Sequence, residues 1–202
     1  MELTVDFYNY TKTGKRMNRR KSIGLLGMGS LLLAQNAFPR ASSVAGYTAS
    51  DDNFMKAFSA RWEGLRVHTF EVYEAMPDAQ LGFQPTEDVM SFAKLFSHIG
   101  VSLDYYAGIL DGTLHKEEIE SVEKGVVLTY LQGRFERFEA AFNQLNPTDL
   151  YNPKHISRTI DGEIESSDYD ILMLAYNHTV HHKGQATTYL RLKDIVPPQY
   201  RF

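Results

Sequence analysis

Near its C-terminus the chain reads Tyr176-Asn177-His178-Thr179-Val180-His181-His182-Lys183-Gly184-Gln185, which places His178 and His182 four residues apart inside an otherwise apolar helical pattern. At about 100° per residue, such a pair lies on one face of a helix. Four further residues lie within roughly 40° of His178 on that face: Ile171, Leu174, Gln185 and Tyr189. We expect a helical bundle to bury this face. Burying imidazoles without partners is costly, and a metal ion is the simplest partner for them.

The composition fits one domain with an ordinary hydrophobic core. Of the 202 residues, 43% are hydrophobic and 12% are aromatic, which supplies one core and not two. Cysteine is absent, so disulfides, thiolate metal sites, iron–sulfur clusters and cysteine nucleophiles are excluded. A transition-metal site in this chain must therefore use nitrogen and oxygen ligands.

Charge is distributed unevenly along the chain. Residues 1–45 contain seven Lys and Arg against two acidic residues, a net charge of +5. Residues 46–202 contain the other fourteen basic residues against twenty-three acidic ones, a net charge of −9. An acidic domain lacks the basic surface that binds nucleic acid, so we expect no nucleic-acid partner.

The N-terminal segment has the parts of a secretory signal. A basic stretch follows Met17, an apolar run covers residues 23–34, and small residues surround Ala45. The apolar run is too short to span a bilayer, so we expect no membrane span in the mature protein. Arg19-Arg20 in the basic stretch resembles a twin-arginine export signal.

We therefore expect residues 1–45 to be an N-terminal extension that directs export to the periplasm, and residues 46–202 to be the folded domain. Either Met1 or Met17 could be the true start. The alternative is an N-terminal helix that packs on a cytoplasmic domain.

Four amphipathic segments predict an all-α four-helix bundle. The predicted helices run from about Ser50 to Met76, from Ser91 to about Leu110, through the aromatic seam from Leu131 to Leu145, and from Ser167 to about Leu192. The core stripe of the first helix is Phe58, Trp62, Leu65, Val72 and Met76. Asp161-Gly162 between Ile160 and Ile164 predicts a tight turn, and hence a short β-hairpin before the last helix.

A third histidine, His98, lies in the middle of the apolar stripe of the second predicted helix. That stripe is Leu95, His98, Ser102, Tyr105 and Ile109. Three neutral imidazoles suit a divalent metal, and three protein ligands leave an open position for water or substrate, as in catalytic sites. The alternative is that the histidines are buried side chains hydrogen-bonded to their neighbours.

The motifs of the domain resemble the DinB/YfiT-like superfamily over residues 54–198. They are Asn177-His178-x-x-His181-His182-Lys183-Gly184-Gln185, Met76-Pro77, Gln84-Pro85-Thr86 and Ser91-Phe92-x-x-Leu95-x-x-His98-Ile99. The resemblance implies a four-helix bundle, commonly dimeric, with a divalent metal held by His98, His178 and His182. It also implies thiol transferases or hydrolases among the relatives.

We expect a divalent-metal-dependent enzyme, of hydrolase or thiol transferase type, that acts on a small-molecule substrate as a homodimer. Zinc and nickel both suit nitrogen ligands. The competing hypotheses are a non-catalytic metal-binding bundle stabilised as a dimer, and a helical interaction protein without metal.

Two residues beside the ligands are further candidates. His181 lies about 60° from His178 around the helix, which predicts a position behind the ligands or at the pocket edge; a solvated or interface histidine is the alternative. Gln185 could orient a ligand imidazole or a metal-bound water, or it could pack on the third helix. Possible pocket residues are Tyr105, Tyr189 and Thr69. No function is assigned to His68, His115 or His155, which lie off the inner stripes or in loops.

Overall fold

The structure is a computed structural model that describes residues 51–115, 117–159 and 162–201. The predicted leader and the domain boundary at residue 46 lie outside these residues. The helices and strands are α1 (Asp51–Glu74), α2 (Phe92–Asp111), α3 (Lys124–Phe142), β1 (His155–Thr159), β2 (Gly162–Ser166) and α4 (Asp168–Leu192). The predicted four-helix fold with a hairpin before the last helix is confirmed. None of the helices in these ranges has the length and apolar character to cross a membrane.

The helix ends follow from capping residues in the sequence. The Ser91 side chain accepts a hydrogen bond from the Lys94 amide at the start of α2. Gly112 ends α2 in the left-handed conformation, with φ of 76°. At the start of α4, Ser167 and Asp170 form a reciprocal capping box. Each of these ends lies within two residues of its predicted position.

The hairpin is anchored to the first turn of α4. Its strands pair antiparallel, with His155 opposite Ser166. Asp168 is fully buried, and its carboxylate oxygens lie 2.7 Å from His155 Nε2 and 2.7 Å from Lys154 Nζ. The contact between His155 and Asp168 therefore ties β1 to the first turn of α4. This is the helix that carries two of the three histidines.

Aromatic side chains fill much of the core. Trp62 of α1 packs against α3, with its ring 4.7 Å from Phe138 and 5.4 Å from Phe135. The predicted core stripe of α1 is buried throughout. The aromatic seam of α3 is buried up to Phe142, whereas Leu145 lies beyond the helix and is half-buried.

The buried face of α4 matches the predicted one in part. Ile171 and Tyr189 are buried as expected, whereas Leu174, expected on the inner face beside His178, is 42% exposed. The buried stripe also contains Thr179, Lys183 and Ala186. His178 therefore lies at the margin of that stripe and not at its centre. A threonine and a lysine look like surface residues in a sequence, and this shifted the predicted face towards the histidines.

His68 is also placed differently from its prediction. The sequence places it off the inner stripe of the first helix, yet it is only 3% exposed. The C-terminal tail covers it: His68 Nε2 lies 3.4 Å from the Pro198 carbonyl oxygen, and the Tyr200 ring packs against its edge at 5.6 Å. His115 is exposed in a loop, as expected, and His155 lies half-buried on β1.

Candidate metal centre

Two packed helices bring the three predicted histidines together. His98 lies in the second turn of α2, and His178 and His182 lie on successive turns of α4, which packs against α2. One ring nitrogen from each lies within 4.8 Å of the other two. The ring centroid of His98 is 5.0 Å from that of His178 and 4.7 Å from that of His182. Residues eighty positions apart in the sequence thus form one cluster.

The spacing of the nitrogens fits a small divalent ion. His178 Nε2 and His182 Nε2 lie 3.2 Å apart. Ligands about 2.05 Å from a tetrahedral ion are separated by about 3.3 Å, so this pair already has the required separation. The His98 nitrogen needs to move by up to about 1.5 Å to reach the same separation, given the 4.8 Å limit on the cluster. The three histidines could therefore hold a metal ion.

Burial keeps all three imidazoles neutral at neutral pH. It lowers the pKa of His98 to about 4, with a smaller contribution from the positive charge of Lys94. It lowers the pKa of His178 to about 3, and the neighbouring histidines lower it further. The pKa of His182 falls to about 4 for the same reason, although its hydrogen bond to Gln185 acts in the opposite direction. A neutral imidazole offers a lone pair to a metal, whereas an imidazolium does not.

Gln185 contacts a candidate ligand directly. Its Oε1 lies 2.8 Å from Nδ1 of His182, the nitrogen that faces away from the cluster. Hydrogen bonds of this kind orient metal-bound imidazoles. His178 differs, because its Nδ1 is buried and has no hydrogen-bond partner in the described ranges. Of the two candidate ligands of α4, His182 is thus oriented by a hydrogen bond to its outer nitrogen, whereas His178 has no such bond in the described ranges.

His181 lies at the solvent side of the cluster. Its side chain is exposed, and its ring centroid is 4.8 Å from that of His182. Tyr106, which the sequence reasoning missed, presents its ring to His178 at 6.1 Å. It lies eight residues after His98, about 80° around the helix, whereas Tyr105 lies about 20° from His98, so the apolar stripe predicted Tyr105. The rings of Tyr105 and Tyr106 are 5.6 Å apart.

The other two possible pocket residues make structural contacts. Thr69 is fully buried and donates a hydrogen bond to the Leu65 carbonyl in its own helix. The Tyr189 hydroxyl donates to the Met90 carbonyl at 3.0 Å. Neither side chain is part of the histidine cluster.

Known proteins share this fold. A DinB-like protein from Bacillus subtilis is 23% identical with a TM-score of 0.59, covering 72% of this chain and 98% of its own. A DinB-like protein from Bacillus cereus ATCC 10987 is 17% identical with a TM-score of 0.60, covering 71% and 95%. A conserved protein from Enterococcus faecalis is 17% identical with a TM-score of 0.56, covering 68% and 95%.

At these identities the likeness shows the fold alone, and no curated protein matches the chain. The family description is more specific, because the model of the DinB family matches residues 50–201, most of the chain. This range contains all four helices and the three clustered histidines. The chain therefore belongs to the DinB family.

Proposed function

We propose that this chain is a divalent-metal-dependent enzyme whose ion is held by His98, His178 and His182. The observation that carries the proposal is their convergence, with one nitrogen from each within 4.8 Å of the others. When bound, a zinc or nickel ion supplies Lewis acidity that activates water or a thiol and polarises an electrophile. The chain supplies three neutral nitrogen ligands at neutral pH, and Gln185 orients that of His182.

The number of ligands favours catalysis over a purely structural site. Structural zinc sites use four protein ligands, whereas catalytic sites use three and leave a position open. Across the described residues, the cluster of metal-ligating side chains has three members. His98 and His178 are half-buried, so the cluster lies at the margin of the bundle and not in its sealed core.

His181 is placed for proton transfer at this margin of the bundle. It is exposed and lies next to His182, where an imidazole can accept a proton from a bound reactant and return it later. We assign it the role of pocket-edge acid or base. Its replacement should lower turnover without releasing the ion, because it is not one of the three clustered ligands.

Hydrolysis is the reaction type that we favour over thiol transfer. The leader predicted over residues 1–45 would deliver the protein to the periplasm, where a cytosolic low-molecular-weight thiol is scarce. Processing at about residue 45, measured by the mass of the exported protein, supports this choice. An intact N-terminus on cytosolic protein favours thiol transfer instead.

We also propose a homodimer, which light scattering of the purified protein tests.

Metal analysis of tag-free protein tests the proposed ligands. The wild type should carry about one zinc or nickel ion per chain, and His98→Ala and His182→Ala should lose most of it. His115→Ala is the matched control, because His115 is an exposed loop histidine. Equal metal content in all four proteins would refute the site.

A second candidate function is a non-catalytic metal staple, favoured by the fact that the ligands come from two helices that pack together. An ion bound there would tie α2 to α4 and add stability. Comparing His181→Ala with the wild type in hydrolysis of a panel of activated esters and amides separates the candidates. Loss of hydrolysis at unchanged metal content supports the enzyme. If metal-loaded wild type hydrolyses no better than metal-free protein, yet unfolds at a higher temperature, the staple is correct.

A further inference from the structure

A row of hydrogen-bonding atoms connects Gln185, His182 and His178. Gln185 Oε1 lies 2.8 Å from His182 Nδ1, and His182 Nε2 lies 3.2 Å from His178 Nε2. The row ends at His178 Nδ1, which is buried and has no partner among the described residues. Both ring nitrogens of His182 are therefore engaged, whereas His178 is engaged through one.

The contact with Gln185 determines which nitrogen of His182 carries the proton. A neutral imidazole has one N–H and one lone pair. A carbonyl oxygen only accepts, so the nitrogen that faces Oε1 must be protonated. His182 consequently has its proton on Nδ1 and its lone pair on Nε2, the nitrogen that faces the cluster.

The proton of His178 then depends on whether an ion is present. Without an ion, two lone pairs cannot face each other at 3.2 Å, so His178 must carry its proton on Nε2 and donate it to His182. With an ion between them, both Nε2 atoms must offer lone pairs, and the only other position for the His178 proton is Nδ1.

We propose that Gln185 is a positioning residue that holds His182 in the Nδ1–H tautomer before any ion binds, and that ion entry moves the His178 proton from Nε2 to Nδ1. The second half rests on the proposed function. One proton passes from Nε2 to water and one passes from water to Nδ1, so His178 stays neutral and no proton is gained or lost overall. His182 is pre-set for coordination, whereas His178 must change.

The proposed change leaves His178 with a buried N–H that has no acceptor in the described ranges. The orientation of His182 therefore favours metal binding, whereas the unsatisfied N–H of His178 makes the free energy of binding less favourable. Gln185 acts through His182 alone, so its removal should change the tautomer of His182 and weaken metal binding by about 10- to 100-fold.

Nitrogen NMR of protein labelled with ¹⁵N-histidine tests both halves, because protonated and unprotonated ring nitrogens have well-separated shifts. Metal-free wild type should show His182 protonated on Nδ1 and His178 protonated on Nε2. Zinc alone is then added, and His178 should change to protonation on Nδ1 while His182 keeps its tautomer.

Three variants separate positioning from general stability. Gln185→Leu should shift metal-free His182 towards the Nε2–H form and weaken zinc binding as above. Gln185→Glu keeps an oxygen acceptor and should restore both the tautomer and the affinity. Gln132→Leu is the control, because Gln132 bonds Glu136 on the exposed face of α3, and it should change neither.

The positioning role is overturned if metal-free His182 is protonated mainly on Nε2, which would mean that the amide NH₂ of Gln185 faces the ring. It is also overturned if Gln185→Leu, folded by circular dichroism, leaves the His182 spectrum unchanged. The proton movement is overturned if bound zinc leaves His178 protonated on Nε2. If metal analysis shows that zinc does not bind, the proposed function and the proton movement fail together, whereas the metal-free spectra still decide the role of Gln185.

Discussion

The Lys183 ammonium lies 5.1 Å from the centre of the Tyr200 ring, which the C-terminal tail brings over α4. Lys183 is only 3% exposed, and burial lowers its pKa to about 8 from an ordinary value of 10.5. Between those values the unfolded chain binds more protons than the folded one, so this lysine makes stability rise with pH from about 8 to 10.5. At neutral pH the buried charge costs stability.

Replacing this lysine with an apolar side chain of similar length should stabilise the protein. Lys183→Met removes the burial cost and also the cation–π contact, and we expect a net gain of about 2 kcal/mol at pH 7. The gain should fade as the pH approaches 10.5. Urea unfolding at several pH values measures it. Lys193→Met is the control, because Lys193 lies 5.0 Å over the Phe83 ring without being deeply buried; it should change stability by less than about 1 kcal/mol. A destabilised Lys183→Met would show that the contact with Tyr200 outweighs the burial cost.

Acid should destabilise the metal-free protein through the histidine cluster. The pKa of His182 is about 4 in the fold and 6.5 in its absence, so the unfolded chain binds the extra proton within this window. The contribution of neutral His182 to the free energy of unfolding is fully present above about pH 6.5 and is lost as the pH falls towards 4. Between pH 7 and pH 5, His182 alone should contribute a loss on the order of 2 kcal/mol.

The comparison of two neutral substitutions isolates this effect. Urea unfolding of chelator-treated His182→Gln should show a pH slope near pH 5 that is shallower by about one proton. His115→Gln replaces an exposed loop histidine and should keep the wild-type slope. Parallel slopes for all three proteins would mean that the cluster is protonated in the fold as readily as in water.

Local signals in the sequence predicted the architecture well. Ser91, Gly112 and Ser167 define helix ends by hydrogen bonds within a few residues of themselves, so no distant contact was needed to find them. The Asp161-Gly162 turn signal likewise predicted the hairpin whose strands the structure describes. The three histidines were found because regular spacing on two helices, together with the family motif, marked them.

The errors arise where distant contacts decide burial. His68 is buried because Pro198 and Tyr200 fold back over α1, and nothing near residue 68 encodes that tail. Lys183 is buried beside the Tyr200 ring of the same tail. Tyr106 was missed for a different reason: helical spacing from His98 favoured the adjacent Tyr105, whereas the packing of α2 on α4 brings the Tyr106 ring to His178.

Two glycines inside helices should respond to alanine in opposite ways. A Cβ at Gly100 of α2 would collide with the Tyr130 ring of α3, whereas a Cβ at Gly133 has no atom within 4 Å. Alanine is favoured over glycine in a helix by about 1 kcal/mol. Gly133→Ala should therefore stabilise by up to about 1 kcal/mol, and Gly100→Ala should destabilise by about 1–2 kcal/mol because overpacking exceeds that gain. Thermal unfolding of the two variants measures both. A stabilising Gly100→Ala would show that α2 and α3 separate easily at this point.

A buried ion cluster joins the same two helices. Asp104 of α2 is fully buried, with its Oδ1 3.0 Å from Arg137 Nε and 3.6 Å from Arg134 Nη1. Removing one partner of a buried ion pair leaves the other charges uncompensated, which typically costs about 3–5 kcal/mol. Asp104→Ala should therefore be strongly destabilising in urea unfolding.

An exposed ion pair provides the matched comparison for Asp104. Asp78 lies 3.3 Å from Lys124 Nζ, and its side chain is 78% exposed. Exposed pairs contribute about 0–1 kcal/mol, so Asp78→Ala should cost no more than this. The guanidinium groups of Arg134 and Arg137 retain other partners, Glu117 and Asp111, which limits the loss at Asp104 to the lower part of its range. If both substitutions cost the same, water must reach the two arginines once Asp104 is gone, and the ion cluster would then contribute little to the contact between α2 and α3.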